Sequence, residues 1–278
     1  MTLDDLVIKH LRELLKLEDS AVKGLLSVYR EESKRLLDEI ELTPDDTFRA
    51  QYLRQILAQV EAGVAQMEAR VAGRLAAESF KAQEVGLRHA QAELAKGLAQ
   101  FPAPIPTPSS AALEAVYAPI INLPALVAYR ENSRLSLKRW AGGEAADIQR
   151  TITKSILEYK TPRQIRRELE QVMGPKAKAH EIERIARTEF RNAAQLAYDE
   201  GNRTIDEEFP ELALMNVWDA RLDRSCSVCR RLNGQQRAVG QDFVDPATGK
   251  RYARPTVHPN CHCALRVWRK GWDKFKGL

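Results

Sequence analysis

Apolar side chains recur at helical spacing through the first hundred residues. Between residues 3 and 40, Leu, Val, Ile and Tyr recur in steps of three and four, with charged residues between them. Such a stripe predicts an amphipathic helix that buries one face. A second stripe, from Thr47 to Ala99, follows the helix-start pattern Thr43-Pro44-Asp45-Asp46. At ~1.5 Å per residue it would span roughly 80 Å, so we expect it to pack in a hairpin on the first helix or against another chain.

Alternating prolines between Phe101 and Pro108 end this pattern, because proline disfavours helix and suits a stiff spacer. Helical patterns then resume. The predicted helices are Ser110–Tyr117, Pro124–Trp140 with a break at Gly142-Gly143, a capped helix from Thr161 to Gly174, and Lys176 to about Asn202. In the last of these, Arg187 and Arg191 lie one turn apart, and we expect them to form surface ion pairs at helical spacing.

The character of the chain changes after residue 211. Strand-like alternation is found at Met215–Asp219, Gln236–Val239 and Ala264–Trp268, and turn residues dominate Leu232–Gly234 and Asp245–Lys250. The predicted fold class is therefore α+β and mostly α, with a long N-terminal helical hairpin and a helical body followed by a small β-rich C-terminal module. The expected segments are 1–100 (helical extension), 101–109 (linker), 110–211 (helical body) and 212–278 (β-rich module).

Composition excludes several classes of protein. Hydrophobic residues make up 44% of the 278 residues, which is too many for a wholly disordered chain. No uninterrupted apolar stretch approaches the ~18 residues of a membrane span, and the acidic start from Met1 to Asp5 lacks the features of a secretory signal. We therefore expect a protein that is made and kept in a cytoplasm, without a membrane partner.

Charge is unevenly distributed along the chain. Residues 212–278 contain 13 Lys and Arg against five Asp and no Glu, whereas the preceding part is mildly acidic. Such a basic module can contact nucleic acid without sequence preference, or an acidic protein surface, or it can simply present a solvated face. The candidate contact residues are Arg221, Arg224, Arg230, Arg231, Arg251, Arg254, Arg266, Arg269 and Lys270.

All four cysteines also lie in this module. Cys226 and Cys229 are separated by two residues, and His258 and Cys261 form a second closely spaced pair. Four soft nitrogen and sulfur ligands suit a tetrahedral Zn²⁺ ion, which would stabilise a small module with little apolar bulk. Cys263 is an alternative ligand, and two disulfides or unligated thiols are alternative states. The intervening residue, His262, is expected to point away if the segment is extended.

Motifs of familiar enzymes are missing from the sequence. No histidine has a glutamate two residues later, and the His180-Glu181 start of a zinc-protease motif has Arg184 at the second ligand position. We therefore predict a non-enzymatic protein. The alternatives are a metal-dependent nuclease or DNA-processing enzyme that uses His258, His262, Asn260 and Asp245, and a nucleic-acid-binding protein.

The combination of motifs resembles the Mu F-like head morphogenesis proteins of tailed bacteriophages. It consists of Arg187-Thr188-Glu189, Trp218-Asp219, Asp223, Cys226-x-x-Cys229, Leu232-Asn233-Gly234 and His258-Pro259-Asn260-Cys261-His262-Cys263. The resemblance covers about residues 110–270. It departs from the usual family pattern at Asn233, where Asp is usual, and at His262, where Arg is usual.

This resemblance implies a minor capsid protein that acts in head morphogenesis. Such a protein would associate with the portal protein, with the major capsid or scaffold protein, and in some cases with packaged DNA. The expected locations are the host cytoplasm during assembly and then the virion, with several copies in the assembly.

Overall fold

The computed structural model describes residues 1–41, 49–101, 107–158, 160–174, 178–220, 225–259 and 261–272. Most of them are helical, and a small β region lies near the C-terminus, which confirms the α+β, mostly α prediction. The helices are α1 (Leu3–Glu41), α2 (Arg49–Gln100), α3 (Ser110–Tyr117), α4 (Pro124–Leu157), α5 (Pro162–Met173), α6 (Ala179–Glu208) and α7 (Ser227–Leu232). The strands are β1 (Leu214–Asp219), β2 (Gln236–Ala238), β3 (Phe243–Val244), β4 (Arg251–Tyr252) and β5 (Ala264–Arg269). The predicted helix start at 43–46 and most of the proline run lie outside the described residues.

Local capping explains where two of the shorter helices begin. The Ser109 hydroxyl accepts a hydrogen bond from the amide of Ala112 at the start of α3. At α5, the hydroxyl of Thr161 accepts from the Gln164 amide, and the Gln164 side chain accepts in return from the Thr161 amide. This reciprocal pair satisfies amides that have no partner within the helix, as the predicted capping signature requires.

The predicted break at Gly142-Gly143 is wrong, because α4 continues through both glycines to Leu157. Among the residues that the structure describes, nothing lies within 4 Å of the place where a Cβ would stand on either glycine, so no described contact requires glycine there. Glycine lowers helix propensity by ~1 kcal/mol relative to alanine but does not prevent helical backbone angles. The surrounding turns are therefore able to hold the helix together.

The chain forms two compact units, each assembled from stretches that are separated in the sequence. Unit 1 comprises Met1–Asp19, Glu78–Arg130 and Arg187–Leu278, and unit 2 comprises Ser20–Ala77 and Glu131–Ala186. In unit 1, residues far apart in the chain share one apolar core, which includes Leu3, Leu94, Leu196, Trp218 and Trp272. The β-rich segment therefore shares its core with helices instead of burying one of its own.

Unit 2 is a helical assembly in which α1 and α2 run antiparallel. Leu36 of α1 lies against Gly63 of α2. Buried apolar residues of α4 and α5 pack on this pair, and residues from the start of α6 close a second cluster. The hydroxyl of Tyr29, which is fully buried, donates to the Met173 carbonyl at 2.7 Å and so satisfies an acceptor at the end of α5.

Unit 1 combines helices with a three-stranded antiparallel sheet in the order β2-β1-β5. The register pairs Trp218 of β1 with Leu265 of β5. Strands β3 and β4 form a separate two-stranded hairpin. Gly86 of α2 allows a close approach to α6, since a Cβ there would collide with the backbone carbonyl of Ala194. As in unit 2, α1 packs on α2, and the ring of His10 stacks on that of His89.

Among the described residues, one stretch, Ser110–Asn132, is long and apolar enough to cross a membrane by length and composition alone. The structure divides this stretch into α3, a 3-10 turn over Ala118–Asn122 and the start of α4. Pro119 and Pro124 lie in the turn and at the first position of α4, where each removes a backbone donor.

Candidate metal centre

The first pair of cysteines is positioned by α7, a short helix that sequence analysis did not predict. Cys226 is the N-cap of this helix, and its sulfur accepts a hydrogen bond from the Cys229 amide at 3.4 Å. The two-residue spacing thus places both sulfurs at the same first turn. Burial raises the pKa of Cys226, but hydrogen bonds from the amide and the side chain of Cys229, together with the charge of His258, outweigh it, and the pKa lies below its ordinary value.

The second pair comes from the segment before β5. His258 directs Nδ1 to the carbonyl of Pro259 at 2.8 Å, and its Nε2 lies 3.6 Å from the sulfur of Cys229. A hydrogen atom on Nδ1 satisfies the carbonyl and leaves the Nε2 lone pair facing the thiols. This is the usual arrangement of a metal-binding imidazole, in which the second nitrogen fixes the tautomer.

Five donors meet around Cys229. One group of converging ligand atoms comprises Cys226, Cys229 and His258, and a second comprises Cys229, Cys261 and Cys263. The sulfurs of Cys229 and Cys261 are 3.7 Å apart. Each of the four ligands expected from the sequence, and the alternative ligand Cys263, belongs to at least one of these two groups, and the cluster can hold a metal ion.

The buried thiols constrain one another's ionisation. Hydrogen bonds from Cys229 and Cys263 lower the pKa of Cys261, and the contact with Cys261 raises the pKa of Cys229. Cys229, Cys261 and Cys263 are each at most 2% exposed. Three thiolates so close together would repel one another unless a cation lay between them, so full ionisation of the cluster requires a metal.

His262 lies between two of the candidate ligands but belongs to neither converging group among the described residues. Burial lowers its pKa, and the positive charge of Arg191 lowers it further. Its carbonyl faces Arg191 of α6, 3.5 Å from Nη1. Arg191 is itself buried and paired with Glu18 of α1, so the predicted surface ion pair is wrong at this residue. Sequence spacing within α6 could not reveal a partner that comes from another helix.

The basic residues proposed for contact with nucleic acid or an acidic surface do not form one uniform patch. Arg266 is 5% exposed and is paired with Asp4 at 2.9 Å, which makes it unsuitable for such a contact. Arg231 forms two hydrogen bonds of 2.7 Å with the buried Asp245 and so serves the β3–β4 turn. The sequence shows the positive charge of Arg266 and Arg231, but the fold determines which carboxylates they pair with.

The remaining proposed contact residues differ in exposure. Arg230, Arg251 and Lys270 are exposed, Arg254 and Arg269 are half-buried, and Arg221 and Arg224 lie outside the described residues.

Asp245, one of the residues considered for a nuclease, is held by its neighbours. Asp245 accepts hydrogen bonds from Arg231, from the Ala247 amide and from the Thr248 hydroxyl, which occupy both carboxylate oxygens. Arg231 is the largest cause of the low pKa of this carboxyl group. Asn260 lies outside the described residues. Asp245 therefore serves to hold a turn.

Several residues of the sequence motifs hold the structure near the candidate metal centre. Trp218 is fully buried and meets the ring of Phe243 edge-on at 5.2 Å. The side chain of Asn233 accepts from the Ala220 amide, and the Gly234 amide donates to the Trp218 carbonyl. Gly234 has a φ of +76°, a conformation that favours glycine.

Compared with protein-family models, curated proteins and solved structures, the chain has no match. Conclusions about its function therefore depend on its own residues and their geometry.

Proposed function

We propose that this chain is a non-enzymatic minor head protein of a tailed bacteriophage, whose C-terminal Cys/His segment is folded around a structural zinc ion. The metal part of the proposal depends on two groups of donor atoms that share the buried Cys229. One group contains Cys226 and His258, and the other contains Cys261 and Cys263. The protein would associate with the portal and the procapsid, and it would also contact packaged DNA.

The spacing of the donor atoms supports zinc. Ligand bonds of ~2.3 Å to sulfur and ~2.1 Å to nitrogen place tetrahedral neighbours roughly 3.5–3.8 Å apart. The distances from the Cys229 sulfur to His258 Nε2 and to the Cys261 sulfur, 3.6 and 3.7 Å, lie in this range. The burial of three of the thiols supports a structural ion, because a catalytic zinc keeps a position open to substrate.

The family motifs support the assignment to the phage head. Their order and combination resemble one family of head morphogenesis proteins, and Trp218, Asn233 and Gly234 pack or hydrogen-bond beside the Cys/His cluster. A role in which the C-terminal segment serves as a folded contact module agrees with this use of the motif residues.

Metal analysis of the purified chain tests the zinc site. We expect about one equivalent of zinc and loss of structure in unit 1 when a strong chelator removes it. Cys226→Ser and Cys229→Ser should both lose the metal. If the fourth ligand is His258, His258→Ala should lose zinc and Cys263→Ser should keep it, and the reverse would identify Cys263. Retention of metal and stability by both Cys226→Ser and Cys229→Ser would contradict the site.

Association with phage particles tests the larger assignment. The genes next to this one should include a portal gene, and the protein should co-purify in fixed stoichiometry with heads or with the portal protein. Recovery only as an unassembled host protein, never in particles, would contradict the proposal. A Mg²⁺-dependent DNA cleavage that is lost in a folded His262→Ala variant would favour the enzyme instead.

A further inference from the structure

Arg191 is a buried cation directly behind the metal-binding segment. It lies on α6 with only 2% of its side chain exposed, and its Nη2 has no hydrogen-bond partner among the described residues. Burying a guanidinium group is costly unless nearby negative charge compensates it. The groups that contact Arg191 therefore indicate which part of the structure its positive charge stabilises.

One side of Arg191 is anchored to α1. Its Nε lies 2.5 Å from a carboxylate oxygen of Glu18, which is fully buried. The other oxygen of Glu18 accepts from Arg187 at 2.8 Å. One buried carboxylate is thus shared by two arginines. Asp19 also contacts Arg187 at 2.8 Å, but its side chain is 56% exposed, so solvent screens its charge.

The other side of Arg191 faces the metal-binding segment. Nη1 donates to the His262 carbonyl across 3.5 Å, a long hydrogen bond to a group that is placed between Cys261 and Cys263. Mutation of a residue that holds a metal ligand in place typically weakens metal affinity 10–100-fold.

We propose that Arg191 is a positioning residue of the metal centre. It holds the Cys261-His262-Cys263 segment through the His262 carbonyl, which places a positive charge directly behind this segment. The inference rests on the proposed zinc site and adds a link from that site to α1 through Glu18. It predicts that metal affinity depends on a residue that never touches the ion.

Replacement of the two arginines separates this role from general stability. Arg191→Met removes the charge and the hydrogen bond, Arg191→Lys keeps the charge, and Arg187→Met removes the other arginine on Glu18. Zinc affinity is measured by competition with a chelator, at a temperature at which circular dichroism shows each variant to be folded. We expect Arg191→Met to weaken zinc binding 10–100-fold. Arg191→Lys should weaken it less, and Arg187→Met should change it least.

The visible spectrum of the cobalt-substituted protein distinguishes the two roles, because a residue that only stabilised the fold would leave this spectrum unchanged. Co²⁺ in a tetrahedral thiolate site gives visible bands whose energies depend on the charge and geometry around the sulfurs. The bands of Arg191→Met should shift relative to wild type, and those of Arg187→Met should not. If Arg191→Met does not fold, a shift in Arg191→Lys alone is expected.

Two results would overturn the role of Arg191 and leave the zinc site intact. One is wild-type affinity and an unchanged cobalt spectrum in Arg191→Met, or in Arg191→Lys if only that variant folds. The other is an equal loss of affinity in Arg191→Met and Arg187→Met. A wild-type chain that binds neither zinc nor cobalt would instead refute the metal centre itself.

Discussion

Acidification should destabilise unit 1 through a stacked pair of histidines. His10 and His89 lie ring on ring, with centroids 3.9 Å apart, and His89 Nε2 is 3.1 Å from a carboxylate oxygen of Glu13. Burial, followed by the charge of His10, lowers the pKa of His89 from 6.5 to about 4, although Glu13 and Glu93 partly oppose this shift. The folded protein therefore favours neutral His89.

The size of the effect follows from the difference in pKa between the unfolded and the folded chain. His89 ionises near pH 6.5 when unfolded and near pH 4 when folded, so its contribution is fully present above pH 6.5 and is lost as the pH falls to 4. The complete shift corresponds to about 3 kcal/mol at 1.36 kcal/mol per unit. By pH 5, about 2 kcal/mol of it should be lost.

Urea unfolding of wild type and His89→Gln at pH 7.5 and pH 5 measures this contribution. Tryptophan fluorescence reports mainly on unit 1, because Trp218, Trp268 and Trp272 belong to it. The free energy of unfolding of wild type should fall by about 2 kcal/mol more than that of His89→Gln between the two pH values. The exposed His180 gives a matched control, since His180→Gln should follow wild type. Parallel pH dependences in wild type and His89→Gln would refute the reasoning.

Backbone proximity and capping give three further predictions. Gly86→Ala should destabilise unit 1 by roughly 1–3 kcal/mol in urea unfolding, because its Cβ would meet the immobile carbonyl of Ala194. Gly73→Ala, in the same helix but with nothing within 4 Å, should be neutral or stabilising by up to ~1 kcal/mol, and equal losses in both variants would contradict the packing argument. Thr161→Ala should cost about 1 kcal/mol, because the Gln164 amide loses its acceptor, and faster hydrogen exchange at the start of α5 should accompany the loss.

Helix positions were predictable where the signal is local. The apolar stripe of α1, the reciprocal cap at Thr161 and the limits of α3 need only neighbours within a few residues, and the structure confirms them. The interruption predicted at Gly142-Gly143 was wrong because propensity is only a weak preference that a long helix overrides. Helix α7 was missed because a cysteine sulfur serves as its N-cap, and cysteine is not one of the usual capping residues.

The sequence predicted the Cys and His residues of the candidate metal site, but not the backbone groups that orient them. The spacings Cys226-x-x-Cys229 and His258-x-x-Cys261 bring donors together over short distances, and so the sequence alone marked them. The amide that caps Cys226 and the carbonyl that orients His258 also come from near neighbours, but the backbone course that provides them was not visible in the spacing.

The sequence alone determined which residues are candidate metal ligands and where several helices form, since both depend on residue type and on short spacing along the chain. The tertiary structure decided which charged residues are buried in ion pairs and which helices and strands contribute to one core. Both depend on contacts between residues far apart in the chain. Arg266, read as a surface cation, is buried against Asp4, which lies 262 positions away. Arg191, predicted to be a surface residue of one helix, contacts both Glu18 of another helix and the carbonyl of His262. No periodicity along the chain records such pairings, because folding alone brings these groups within reach of one another.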